Sequence, residues 1–150
     1  MGGAAEPRSD LEPGTRIAGY EVLRPLGSGG MGVVLAARRL ADGAEVALKL
    51  PSGRRAGEPS VKRRLLREAR SVQRVESPHV ARVLDVGELD DGSPFLVLDL
   101  LEGEDLGQLI GREGRVPVAQ AARWVRQACE GVAAAHERGV IHRDIKPSNL

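Results

Sequence analysis

Between Tyr20 and Leu50 the apolar positions come in short runs broken by turn residues. The segments "YEVLRPL" at 20–26 and "GVVLAARR" at 32–39 predict two strands, "ADG" at 41–43 a turn, and "AEVALKL" at 44–50 a third strand. From Ser60 the period changes: Val61, Leu65, Leu66, Ala69, Val72 and Val75 recur at helical spacing. Residues 81–87 and 94–101 read as two more strands, joined by the turn "DDGS" at 90–93. After Gly103 a short helix is expected, then a long one from Pro117 to Arg138. Pro117 suits its first turn and Gly139 its end.

The turn between the first two strands raises a question of chemistry. Gly27, Gly29 and Gly32 stand at the spacing G-x-G-x-x-G. A dinucleotide-binding fold uses that spacing where a strand becomes a helix, and a strand–turn–strand hairpin uses it to cover the phosphates of ATP. Pro25 and Arg24 interrupt the strand that would have to be a buried parallel one. Val33 and Val34 favour strand over a first helical turn. The acidic residue that would hold a ribose about 20 positions on is missing, with Lys49 and Leu50 there instead. The hairpin is the better reading.

Composition narrows the partners. With 150 residues and a formal net charge of +1, the chain has no global field to attract nucleic acid or an acidic membrane. No apolar run approaches a membrane span, and "MGGAAEPRSDLEPG" has neither the charged nor the apolar part of a signal peptide. A lone cysteine, Cys129, excludes an internal disulfide framework and fits a reducing compartment; in its apolar helical run it is expected to be buried. Trp124 is expected to pack from the same long helix, His79 and His136 to be structural, and "KRRLLREAR" at 62–70 to be the wet face of a helix. Of 22 basic residues only Lys49, Lys62 and Lys146 are lysines, and two of these fall inside the motifs at issue.

The end of the chain decides the matter. "IHRDIKPSNL" at 141–150 follows a long helical pattern, and Pro147 makes it a loop. His142-Arg143-Asp144-Ile145-Lys146-Pro147-Ser148-Asn149 resembles the catalytic loop of a protein kinase in its Ser/Thr-specific form. "VALK" at 46–49 matches the third-strand lysine motif, and "GGMGVV" with "AHERGVIHRDIKPSN" is similar to bacterial, eukaryotic-like Ser/Thr kinases. The resemblance runs from Tyr20 to Leu150.

The resemblance implies an α+β, bilobal kinase-like fold. Residues 1–14 would be a disordered lead-in. Residues 15–101 would form a complete small lobe and hinge, a five-stranded antiparallel sheet with one helix. Residues 102–150 would start the large lobe with its first helices and catalytic loop. ATP and Mg²⁺ are the implied cofactors and a protein bearing Ser or Thr the implied substrate, with kinase dimerisation left open. No nucleic acid or membrane contact is expected in this segment. The location would be cytoplasmic, any membrane anchor lying beyond Leu150.

Residue by residue, Leu26, Gly27, Ser28, Gly29, Gly30, Met31, Gly32 and Val33 would wrap the phosphates. Val34 and Ala47 would roof the adenine. Lys49 would bind the α- and β-phosphates, held by Glu68 on the following helix. Leu98 would be the gatekeeper, Asp99 and Leu101 would offer hinge backbone groups, and Asp105 would reach the ribose. Asp144 would be the catalytic base, Lys146 would neutralise charge near the γ-phosphate, and Asn149 would ligate Mg²⁺. Arg143 would be the regulatory arginine that receives a phosphorylated loop.

Leu35 departs from the aromatic residue usual there, and Asp99 from the usual Glu. The Asp-Phe-Gly motif would be expected about 15–20 residues beyond Leu150. Two outcomes are therefore held open: the front half of an active Ser/Thr kinase, or a kinase-like module that binds nucleotide without transferring phosphate.

Overall fold

Alternation of apolar and polar residues builds the front of the molecule. The computed structural model describes residues 11–29, 32–51 and 58–150; for Val61, Arg64, Leu65 and Glu68 it describes the backbone alone. Six strands form one sheet: β1 (Arg16–Ile17), β2 (Tyr20–Gly29), β3 (Gly32–Arg39), β4 (Glu45–Leu50), β5 (Val83–Glu88) and β6 (Pro94–Asp99). Their order is β1-β2-β3-β4-β6-β5, and every pairing is antiparallel. The five expected strands are present, and β1 adds a short sixth at the edge. It is joined to β2 through Ala18 and Gly19, both at positive φ (44° and 89°), as a primed two-residue turn demands.

One face of this sheet is the core. Val22, Val33, Leu35, Val46, Leu48, Leu50, Phe95 and Val97 pack together there, with Tyr20 meeting Phe95 edge to face at 6.0 Å. Gly87 on β5 pairs with Phe95, and a Cβ at that position would fall 2.1 Å from the ring, so the glycine makes room for it. Pro25 lies where β2 has lost β1 as a neighbour and where the β2–β3 register shifts, positions that tolerate a missing N–H. Order begins earlier than residue 15: Leu11 packs on the core and the Gly14 N–H donates to the Val22 carbonyl at 2.8 Å. Residues 1–10 lie outside the described residues.

Helix α1 (Pro59–Val72) follows β4, and α2 (Leu106–Glu113) and α3 (Val118–Glu137) follow β6, with a 3₁₀ turn at Pro147–Asn149. Asp105 caps α2 by accepting the Gln108 N–H at 2.9 Å, and Gly139 (φ 73°) follows the end of α3. Two compact units result. One holds the described residues to Arg70 with Val83–Leu100; the other holds Ser71–Arg82 with Leu101–Leu150. The segment after α1 thus belongs with the helices rather than with the sheet, as a sequence boundary at residue 101 does not anticipate. The reason is local: Gly131 on α3 lets the His79 carbonyl approach to 2.8 Å of where a Cβ would be, and His79 Nε2 meets Glu130 at 3.1 Å.

Gly131 is the one buried residue of α3, and α2 has none. Cys129 is accordingly exposed, not buried as its apolar run suggested, because nothing among the described residues covers that face of α3. Trp124 is half-buried and lines an open hollow of about 480 Å³ with Leu106 and Leu109 of α2. Among the described residues no helix is long and apolar enough to cross a membrane.

Candidate active site

The period-2 geometry that builds the core also builds the opposite face. Val33, Leu35, Val46, Leu48, Leu50, Phe95 and Val97 face the core, so Val34, Ala47, Lys49, Leu96 and Leu98 point to the other side. The register brings them together: Val34 stands opposite Lys49, Lys49 opposite Leu96, and Ala47 opposite Leu98. The lysine is thus set among small and aliphatic neighbours, a surface that suits a flat apolar ring beside a charged group. Leu96 was not singled out in the sequence, although the alternation of Pro94–Asp99 was the signal that places it there. Val33, expected among the phosphate-wrapping residues, has its side chain buried in the core, so only its backbone can serve a ligand.

The glycine turn is a hairpin, not a strand-to-helix junction. β2 and β3 pair down to Gly29 opposite Gly32, with Ser28 opposite Val33 and Gly27 opposite Val34. Gly30 and Met31 lie outside the described residues. The glycines have different reasons to be there. Gly32 has φ 133°, and a Cβ on it would sit 2.0 Å from the Leu50 carbonyl oxygen, so the fold requires it. Gly27 has no atom of the described residues within 4 Å of a Cβ position, so none of them demands its bareness. Space over Gly27 is what a phosphate approaching backbone N–H groups needs. Leu26 falls at the register shift and is exposed.

The loop at 142–149 holds its own shape. Lys146 Nζ reaches Asp144 Oδ2 at 3.1 Å, and Asn149 Nδ2 donates to the same oxygen at 3.1 Å and to the Asp144 carbonyl at 2.8 Å. The Asp144 N–H donates to His142 Nδ1 at 3.3 Å, which gives His142 an anchoring role that the motif alone does not reveal. Both side-chain donors converge on Oδ2, leaving Oδ1 without a hydrogen bond among the described residues. The Lys146 hydrogen bond, then that from Asn149 and the charge of Lys146, hold the Asp144 carboxyl below its ordinary value of 3.8. The group is an ionised carboxylate with one oxygen free to take a proton, next to an ammonium that can face an anion.

Asn149 spends its amide N–H₂ on Asp144, so its carbonyl oxygen is the atom left for a hard cation. Among the described residues no cluster of three or more His, Cys, Asp or Glu side chains stands ready to hold a metal. Arg143 has φ 63°, an uncommon backbone for a residue with a side chain, immediately before Asp144. Asp99 ends β6 opposite Val46, Leu101 is exposed, and Asp105 is the α2 cap. Position 68 lies within α1, but the Glu68 side chain, and with it the expected pair with Lys49, falls outside what is described.

Residues 20–150 match the protein kinase domain family. The chain is 40% identical over 131 residues to the serine/threonine-protein kinase pkn2 of Myxococcus xanthus, covering 87% of this chain and 16% of that protein. It is 38% identical over 150 residues to the serine/threonine-protein kinase PknE of Mycobacterium tuberculosis, covering 100% of this chain and 26% of PknE. The crystal structure of the M. tuberculosis PknI kinase domain is similar with a TM-score of 0.80 and 33% identity, over 93% of this chain and 56% of that one. The chain therefore spans about a quarter or less of the length of these curated relatives and just over half of the solved domain.

Proposed function

Because the chain belongs to the bacterial serine/threonine protein kinases, we propose that it carries the ATP-holding and proton-accepting parts of a site that transfers the γ-phosphate to a protein Ser or Thr hydroxyl. The observation that carries this reading is the state of Asp144: ionised, pinned at Oδ2 by Lys146 and Asn149, and open at Oδ1. Oδ1 accepts the hydroxyl proton as the oxygen attacks, while the Lys146 ammonium offsets charge on the transferred group. Gly27 leaves the phosphates room to reach backbone N–H groups, and Lys49 binds them from the sheet face that Val34, Ala47 and Leu98 make apolar. Asp99 and Leu101 supply hinge backbone groups, Asp105 the ribose contact, Glu68 the partner of Lys49, and Arg143 the receptor for a phosphorylated loop. Magnesium, when bound, neutralises phosphate charge, and Asn149 is the residue that would hold it.

The metal side of the site favours a second reading for residues 1–150 taken alone. Asn149 is the one magnesium ligand that the motif supplies here, and no acidic cluster among the described residues adds another. These residues would bind ATP and turn it over negligibly.

Protein isolated from its native source is expected to incorporate labelled phosphate into a Ser/Thr substrate. Asp144→Asn and Lys49→Met should each abolish incorporation with the fold intact by circular dichroism. Undiminished incorporation by either variant would overturn the assignment. A robust Mg²⁺-dependent signal from residues 1–150 alone would overturn the second reading.

A further inference from the structure

One lysine is left over. Lys49 and Lys146 both belong to the candidate site, whereas Lys62, the third lysine among 22 basic residues, has no part in it. It opens the stretch 62–70, expected to be the wet face of α1, yet its side chain is only 29% exposed. Its ammonium forms an ion pair with Glu88, 26 residues on and at the end of β5. Both residues belong to the compact unit that holds the sheet.

Glu88 is a firm anchor. It stands opposite Pro94 across the β5–β6 hairpin, where the Leu89 N–H donates to the Ser93 carbonyl and the Gly92 N–H to that of Leu89, each at 2.8 Å. Pro94 and Phe95 are fully buried just past that turn. β6 then runs on to Leu96 and Leu98, opposite Lys49 and Ala47. The partner of Lys62 is thus part of the sheet that carries Lys49.

The other end of α1 supplies the second point of attachment. Ala69 is the one buried side chain among those described on the helix. It lies two turns, about 10 Å, beyond Lys62 and within about 20° of it around the axis. A helix held at Ala69 alone can swing about that point; held also at Lys62, it has a fixed direction. Any side chain reaches about 6 Å from a helix axis, so a swing of about 10° about Ala69 would displace the end of one at position 68 by about 1 Å. An error of that size at a positioned group costs up to about a hundredfold in rate.

We propose that the Lys62–Glu88 pair is a positioning contact for phosphotransfer, fixing the direction of α1 and so setting Glu68 against Lys49. The proposal rests on the kinase reading, in which Glu68 holds Lys49. Lys62 and Glu88 touch no reactant in this scheme and act through Glu68.

The test is a cycle of variants in protein from its native source, read as kcat and KM for ATP, with backbone amide exchange of α1 alongside. Lys62→Met is expected to lower kcat about tenfold and to change KM by less than about threefold. Exchange along residues 62–70 should quicken. The thermal midpoint should fall by no more than about 2 °C, since a half-exposed ion pair contributes little to stability. The swap Lys62→Glu/Glu88→Lys, which rebuilds the pair in reverse, should bring kcat back to within about threefold of wild type and slow exchange again. In a Glu68→Gln background, Lys62→Met should change kcat by less than about twofold, because the group it acts through is already lost. Undiminished kcat in Lys62→Met, a swap as impaired as the single variant, exchange that does not respond, or equal losses with and without Glu68 would overturn the proposal. So would a midpoint lower by about 5 °C or more, which would make the pair a structural brace. Wild-type protein that transfers no phosphate sinks the kinase reading and the proposal with it. An active wild type whose Lys62→Met variant is equally active sinks the positioning role alone.

Discussion

The two groups of candidate residues, one on the sheet and one in the loop, are held in opposite ways. Lys49, Val34, Ala47 and Leu98 are brought together by pairings among β3, β4 and β6, with most of a core packed on the reverse of the same strands. Asp144, Lys146 and Asn149 lie within six residues and are held by hydrogen bonds to one another, in a loop that is largely exposed. On the sheet, a residue's place follows from the whole fold and resists local change. In the loop, chemistry and geometry are the same few contacts, so a substitution there alters function with little effect on stability.

The largest expected effect tests the sheet half at its glycines. Gly32→Ala puts a Cβ 2.0 Å from the Leu50 carbonyl in a backbone that side chains rarely adopt, and should cost about 2–4 kcal/mol in a denaturant melt. Gly27→Ala meets nothing within 4 Å among the described residues and should change stability by less than about 0.5 kcal/mol while weakening ATP binding. One glycine serves the fold and the other the ligand. A Gly27→Ala protein as unstable as Gly32→Ala would erase that distinction, and so would a Gly32→Ala protein that melts like wild type.

The loop half should respond in its proton affinity. Lys146→Met removes the largest cause of the low Asp144 pKa, so the carboxyl should titrate closer to its ordinary value of 3.8 when followed by carbon-13 NMR. The sign for stability follows from the depressed pKa. The favourable interaction is present above 3.8, where the unfolded chain is also ionised, and is lost as pH falls through the lower folded value. The variant should therefore differ from wild type at neutral pH and converge with it in acid. An Asp144 titration that does not move would mean that Asn149, not Lys146, sets the carboxylate.

What the sequence discloses divides along the same line. Strands flanking the glycine turn, the lysine strand and the loop motif were legible because each is a local pattern: alternation, a β-branched pair, a run of specific residues around Pro147. The order in which β6 lies between β4 and β5 was not, because it is decided by pairing between segments far apart. β1 escaped because its turn is Ala18-Gly19 and lacks the Asn-Gly or Asp-Gly signal of a two-residue hairpin. The helical period runs three residues past the end of α1 at Val72, since Val75 continues it but is buried beyond the last turn. Cys129 was misplaced for the converse reason: an apolar helical run predicts burial only if another element covers it. In the loop, the motif names Asp144, Lys146 and Asn149 but is silent on which carboxylate oxygen they share, and that choice leaves Oδ1 free.

The smallest expected effect bears on whether the loop stores strain. Arg143 sits at φ 63°, a conformation that costs a residue with a Cβ about 1–2 kcal/mol. Arg143→Gly removes that cost but adds freedom to the unfolded chain, so the net gain in stability should be about 0.5 kcal/mol. If the loop is shaped by its own hydrogen bonds, the glycine variant should keep the low pKa of Asp144, since Lys146 and Asn149 make the contacts that set it. A loss of stability on substitution, or an Asp144 pKa that rises with it, would show that the arginine side chain itself props the loop. The sheet group and the loop group would then share a dependence on contacts outside the motif, and the contrast between them would narrow to one of degree.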